Sequence, residues 1–448
     1  MEIQKKPMNK YGLALLSSLS ESYTLLPFMI FSSLLSGEAA TVNFFVPVVI
    51  LYSIERACII GLRGFGEINN PYRIMRDGLI MALVGAVLMI SSVIFKPLLM
   101  FSALLVGVGL SPLRAMFIPL FSNLIEKDSS LKKGKSMGMV IYLLIMTLVL
   151  TVGKTGPGRL IVPVFFLLYI AAILFIVLRL DGDELFKGRK AFDSKKKSPA
   201  FFVFGILALL SLIILRQYQM SGVSVLMWMT PFAVIIFFAI EIYRRRGYKD
   251  YSFQAYWAGG MKSFIMLYSL VYNTTIGNTS IAMLVYLALA ISSFASDIVR
   301  GMMKRHLSGN AISNVSLFAS AILAFLLTIP SEIVTIIGII LCSTFANILI
   351  AEVGDNYMKD ERYVKEERAL VKIRLLTAGS IMEQLVLFFT IYILGETGIH
   401  QNLLEPYVSK TPNLELSFLL RSSGFVCCGI LLIVAILIVC VAGKRRKK

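Results

Sequence analysis

The stretch Leu160–Leu178, LIVPVFFLLYIAAILFIVL, carries no charge, and it runs into Arg179 and a basic segment holding Lys187, Arg189, Lys190 and Lys195–Lys197. A helix rises 1.5 Å per residue, so such a run spans about 28 Å and crosses a hydrocarbon core of about 30 Å. Working outward, charged or Pro/Gly-rich breaks divide the chain into fourteen apolar segments: 11–34, 41–62, 77–95, 97–121, 137–153, 160–178, 199–215, 223–243, 252–273, 279–298, 311–329, 331–352, 372–395 and 417–442. Over 448 residues, 57% are hydrophobic and only 16% charged, well below the charge of about 25% found in soluble domains. The composition excludes an assembly of soluble domains and implies an all-α polytopic membrane protein with fourteen transmembrane helices.

The positive charges orient these spans. With the N-terminus inside, and residues at span ends counted with the loop they adjoin, inner loops hold 35 Lys/Arg, outer loops 6 and spans 3. Omitting one helix would invert every later loop and destroy the asymmetry, so both termini are expected to be cytoplasmic. The net charge of +18 therefore reads as topology and attraction to the inner leaflet rather than nucleic-acid binding. The first span has no small-residue cleavage site after it and reads as a retained helix, not a signal peptide. The cysteines (Cys58, Cys342, Cys427, Cys428, Cys440) all lie in apolar runs without metal-ligand spacing. No metal or cofactor is expected. Outside the spans, the longest stretches are about twenty residues, near 179–198, 353–371 and 396–416. Of these, the charged segment Met358–Arg374 reads as either a surface helix or a solvated loop.

Six spans, a basic linker, two plain apolar helices and six more spans make a 6+2+6 plan. It implies a six-helix half at 1–180, a cytoplasmic linker at 181–198, an inserted hairpin at 199–250 and a second half at 251–448. A basic turn follows the second helix of each half. One runs from Gly61-Leu62-Arg63-Gly64 through Arg73 and Arg76; the other runs from Asp297-Ile298-Val299-Arg300-Gly301 through Lys304 and Arg305. The fourth span contains Gly107-Val108-Gly109-Leu110-Ser111-Pro112-Leu113, and Gly134-Lys135-Ser136-Met137-Gly138 precedes the fifth.

In these features the chain resembles the major facilitator superfamily, whose signature in that loop is Gly-x-x-x-Asp-(Arg/Lys)-x-Gly-(Arg/Lys)-(Arg/Lys). The second turn keeps Asp297, Arg300, Gly301, Lys304 and Arg305 in loosened spacing, and the first keeps glycines and arginines. Gly153-x-x-Gly156-Pro157-Gly158 is similar to the family's antiporter Gly-Pro motif, shifted and incomplete. The resemblance implies conformational gating by Arg73, Arg76, Asp297, Arg300, Lys304 and Arg305. It also implies that the first and fourth helices of each half line a cavity, flanked by the second and fifth. The rival is the multidrug and oligosaccharidyl-lipid flippase class, which usually places its extra helices after both halves.

Ionisable residues at bilayer depth cost at least about 2.5 kcal/mol each and are functional by default. Glu21, Lys262 and Glu383 fall near their span centres, with Arg114, Glu55 and Arg56 displaced toward the cytoplasm. Carried onto the resembled fold, all six lie on cavity or flanking helices, which makes them candidates for substrate binding or proton coupling. Fixed pairs such as Glu21–Lys262 or Lys262–Glu383, locking the halves together, are the structural alternative. Tyr23, Tyr268 and Tyr272 share helices with Glu21 and Lys262 and either line the cavity or pack.

An enzyme is not expected. There are two histidines, His306 and His400, and no His-Glu-x-x-His, Gly-x-Ser-x-Gly or P-loop. Asp181-Gly182-Asp183 has an acid-x-acid form but no folded domain around it. The sequence thus leads to a secondary transporter working by alternating access: proton-coupled export or flipping of an amphipathic or lipid-like small molecule, with import of a peptide or other small solute as the alternative. Its expected partners are that substrate, protons and membrane lipids, without nucleic acid, in a monomer of a prokaryotic cytoplasmic membrane.

Overall fold

The computed structural model describes residues 9–35, 46–153, 157–180, 186, 188–221, 250–398 and 413–446. Two compact units emerge, one of residues 1–213 with 361–371 and the other of 214–360 with 372–448. Thirteen of the fourteen expected segments coincide with helices; the eighth, 223–243, lies outside the described residues. Nine of the described helices are long and apolar enough to cross a membrane, or ten when a bent pair is taken as one span.

The first unit holds α1 (Lys10–Ser22), α2 (Leu25–Leu35), α3 (Val46–Gly61), α4 (Pro71–Ser91), α5 (Leu98–Leu110), α6 (Leu113–Lys127), α7 (Lys132–Val152), α8 (Gly158–Arg179) and the start of α9 (Pro199–Ser221). The first span is not the continuous helix that 11–34 suggested: α1 and α2 meet at 67°. Pro27 explains the break, because it cannot donate to the Tyr23 carbonyl and its ring crowds that turn. The fourth span runs on from Leu98 to Lys127 without such a bend, with a turn at Ser111–Pro112 between α5 and α6.

The basic linker is partly folded. Two short strands, β1 (Glu67–Ile68) and β2 (Phe192–Asp193), pair antiparallel, with Glu67 opposite Asp193. Gly66 permits this approach: its φ is 134°, and a Cβ there would strike the Asp193 carbonyl. Asn69 and Asn70 donate their backbone N–H to the Ala191 carbonyl, and the Asn70 side chain donates to Arg189 O at 3.1 Å.

The second unit holds α10 (Asp250–Thr275), α11 (Thr279–Met303), α12 (Gly309–Leu323), α13 (Glu332–Met358), most of α14 (Arg368–Gly398) and α15 (Ser417–Arg446). The stretch 358–374 does not form a surface helix of its own. Instead α13 ends at Met358, turns occupy the interval, and α14 begins at Arg368. The core is apolar, with Trp257, Phe264, Phe388 and Leu420 fully buried; Trp257 Nε1 donates to Leu431 O at 2.9 Å, tying α10 to α15. Cys342, Cys427 and Cys428 are buried as free thiols, Cys58 is half-buried and Cys440 exposed.

Candidate functional site

In the first unit, the break in the first span and the turn in the fourth position charge. Glu21 sits one residue before the end of α1, and Arg114 one residue after the start of α6. Arg114 Nη2 meets Glu21 Oε2 at 3.1 Å, with both side chains partly exposed. This is the partner of Glu21 that spacing alone did not assign. Tyr23, at the break, lies within electrostatic reach of Glu55, Arg56 and Arg114, and Tyr142 of α7 within reach of Glu21 and Arg114. Thr24 donates its hydroxyl to the Glu55 carboxylate, which is only 4% exposed. Arg56 lies 4.9 Å over the ring of Tyr52, and its buried Nε has no hydrogen-bond partner among the described residues. Five of the expected site residues, Glu21, Tyr23, Glu55, Arg56 and Arg114, thus form one polar cluster around a helix break. Thr24, Tyr52 and Tyr142 belong to it and were not anticipated. The available signal was Pro27, three residues past Thr24, which frees backbone carbonyls at mid-span.

In the second unit, Glu383 of α14 is buried, and its Oε1 has no hydrogen-bond partner among the described residues. It faces Gly260 of α10, with Tyr256, Cys427 and Cys428 in electrostatic reach. No ion pair joins it to Lys262 or to any other described cation. Lys262 is exposed and donates to Asn347 Oδ1 at 3.5 Å; Asn347 in turn donates to Ser292 and Ser293 at 3.4 and 3.3 Å. Tyr268 does not line an open surface. It is fully buried, stacked between Phe264 and Tyr272, with Gly424 of α15 against its ring.

The expected gating residues separate into two arrangements. Arg300 binds Glu352 at 2.7 Å and Asp355 at 2.6 Å, and Lys304 reaches the same two carboxylates at 3.4 and 3.1 Å. The acids that serve this turn are therefore on α13; Asp297 is exposed and enters no ion pair among the described residues. In the first unit Arg76 pairs with its neighbour Asp77 at 2.8 Å, and Arg73 is half-buried in the first turn of α4. The loop before α4 is instead held by Arg63, which meets Glu367 at 2.8 Å. Glu367 also accepts from the Ile68 N–H at 3.3 Å. Glu352 is buried, Arg300 is mostly buried and Lys304 is exposed, so Glu352→Gln is expected to cost about 2 kcal/mol, between the values for surface and buried pairs. Asp355→Asn, at the exposed end, should cost under about 1 kcal/mol. Thermal melts of the two purified variants check the ranking.

No protein-family model matches the sequence, and a search of curated proteins finds no match to it. Solved structures do match along the whole chain. The nucleoside transporter NupG, as a single-site mutant, is 10% identical with a TM-score of 0.52, covering 95% of this chain and 99% of that one. The human organic anion transporter MFSD10 is 14% identical at 0.52, covering 96% and 97%. A POT family transporter in complex with a thioalcohol-conjugated peptide is 14% identical at 0.55, covering 97% and 96%. The chain has the major facilitator superfamily fold. At these identities the likeness is one of fold.

Proposed function

We propose that this multi-pass membrane protein is a secondary transporter working by alternating access, and not an enzyme. The observation that carries this reading is the partly exposed Glu21–Arg114 pair between the broken first span and the turn at Ser111–Pro112 in the fourth, inside a chain of major facilitator fold. An ion pair held at bilayer depth and still reachable by water is costly to keep as mere scaffold, and discontinuous helices are where transporters place their sites. Glu383 is assigned proton coupling, because a carboxyl buried without a cation among the described residues can change protonation as the site changes access. The substrate is read as an amphipathic small molecule, exported or flipped; a proton-coupled importer of a peptide or other solute is the second reading. Ligand identification by mass spectrometry on protein purified in nanodiscs tests the substrate class. A bound amphiphile lost on Arg114→Gln supports it, and a retained one places the ligand elsewhere.

The 6+2+6 division and the two cytoplasmic basic turns belong to the same proposal, with Arg63, Arg300 and Lys304 stabilising one access state. Its topology makes a direct prediction. In a cysteine-free background, Cys at Lys96 or Ser331 should react with an impermeant maleimide on intact cells. Cys at Arg189 or Arg305 should react only after permeabilisation. Reaction of Arg305→Cys from outside would break the fourteen-span count.

A further inference from the structure

The folded part of the linker carries a charge pattern that the transport reading does not use. Arg189, Lys190, Lys195, Lys196 and Lys197 are all exposed, yet the backbone that carries them is fixed. Strand β2 is paired to β1, and the Asp193 side chain accepts from the Lys195 N–H at 3.0 Å and turns the chain. Lys196 binds Glu67, and that carboxylate holds its ammonium above the usual lysine range. Five cations thus stand against two carboxylates, both already engaged. Helix α9 begins at Pro199, so Lys195, Lys196 and Lys197 sit just before the first turn of an apolar helix. Aromatic rings lie beside them: Phe65 packs on Phe192 at 5.6 Å and on Phe202 at 4.7 Å. Phe65 remains 51% exposed and Phe202 37% exposed.

We infer that this basic hairpin, with Phe65 and Phe202, is a binding site for the headgroup and upper acyl chain of an anionic phospholipid. Fixed cations beside exposed rings at the foot of a membrane helix match both halves of such a lipid, the phosphate and the first methylenes. A soluble polyanion would use the cations and leave the rings in water. A basic side chain near an anionic surface is worth about a fivefold gain in affinity. Because the backbone is already ordered by β1, little conformational entropy is lost on binding.

The test uses the full-length protein in detergent with a mixture of phosphatidylglycerol and phosphatidylcholine, read by native mass spectrometry. The wild type should keep phosphatidylglycerol adducts at least about tenfold more than a variant with Arg189, Lys190, Lys195 and Lys197 changed to Gln. Lys196 is left in place to preserve its pair with Glu67. A control variant, Lys132→Gln with Lys133→Gln and Lys135→Gln, should keep them. Phe65→Ser should weaken retention without changing net charge. Equal retention by the hairpin variant, or equal loss in the control, would overturn the assignment. Displacement of the lipid by inorganic polyphosphate at matched charge, with Phe65→Ser unaffected, would show a site for soluble polyanions instead.

Discussion

Glu383→Gln is expected to abolish pH-gradient-driven transport while leaving expression and thermal stability at or above the wild-type level. Gln has the shape of the protonated acid and cannot release a proton. The side chain it replaces has one oxygen buried without a hydrogen-bond partner among the described residues and no cation beside it. Keeping a carboxylate ionised in such surroundings costs several kcal/mol, of order 3 or more, unless water or a cation reaches it. A protein that only needed packing at this position would not place an acid there. A structural lock would behave differently: removing one member of an ion pair strands the other and lowers stability by about 3–5 kcal/mol. Gradient-driven flux in liposomes, measured beside thermal melts, separates the two. Normal driven flux by the Gln variant would remove Glu383 from coupling.

The largest loss of stability is expected from Gly379→Leu. Where α10 and α14 cross, Gly259 and Gly379 lie against the other helix's backbone. A Cβ on Gly379 would fall on the Tyr256 carbonyl, and one on Gly259 on the Leu376 carbonyl. Backbone cannot swing aside as a side chain can, so the helices must separate, and this is the crossing that seats Glu383 against Gly260. Overpacking of this kind costs about 3 kcal/mol or more. Gly379→Leu should lose its monodisperse elution peak, and Gly379→Ala should melt lower than wild type. A wild-type melt for Gly379→Leu would mean that the crossing is not tight.

Much of this architecture was legible in the sequence because the bilayer is a strict solvent. Long, predominantly apolar runs had to be helices, and thirteen of them are; the eighth lies outside the described residues. The breaks were less legible, since Pro27 interrupts a run that hydropathy reads as continuous. Glu21, Glu55, Arg56 and Arg114 stood out as charges at depth, and burial rules alone singled them out. Their partners did not, because pairing depends on helix rotation and crossing, which no single span encodes. Glu21 finds Arg114, a partner within its own unit that spacing did not assign, for that reason. The acids facing Arg300 and Lys304 also escaped notice: Glu352 and Asp355 lie some fifty residues along the chain, on α13. The pairing of Glu67–Ile68 with the linker is too short to leave any alternation in sequence.

Alternating access is tested most directly by spin-label distances in nanodiscs, in one double-labelled variant for each side of the membrane. Lys133→Cys with Arg305→Cys reports the cytoplasmic side, and Lys96→Cys with Ser331→Cys the outer side. Between pH 5 and pH 8, each pair should show two populations that shift in opposite directions on the two sides, and Glu383→Gln should abolish the pH response. A single distance at each side, unchanged by pH and by the substitution, would contradict the transporter account.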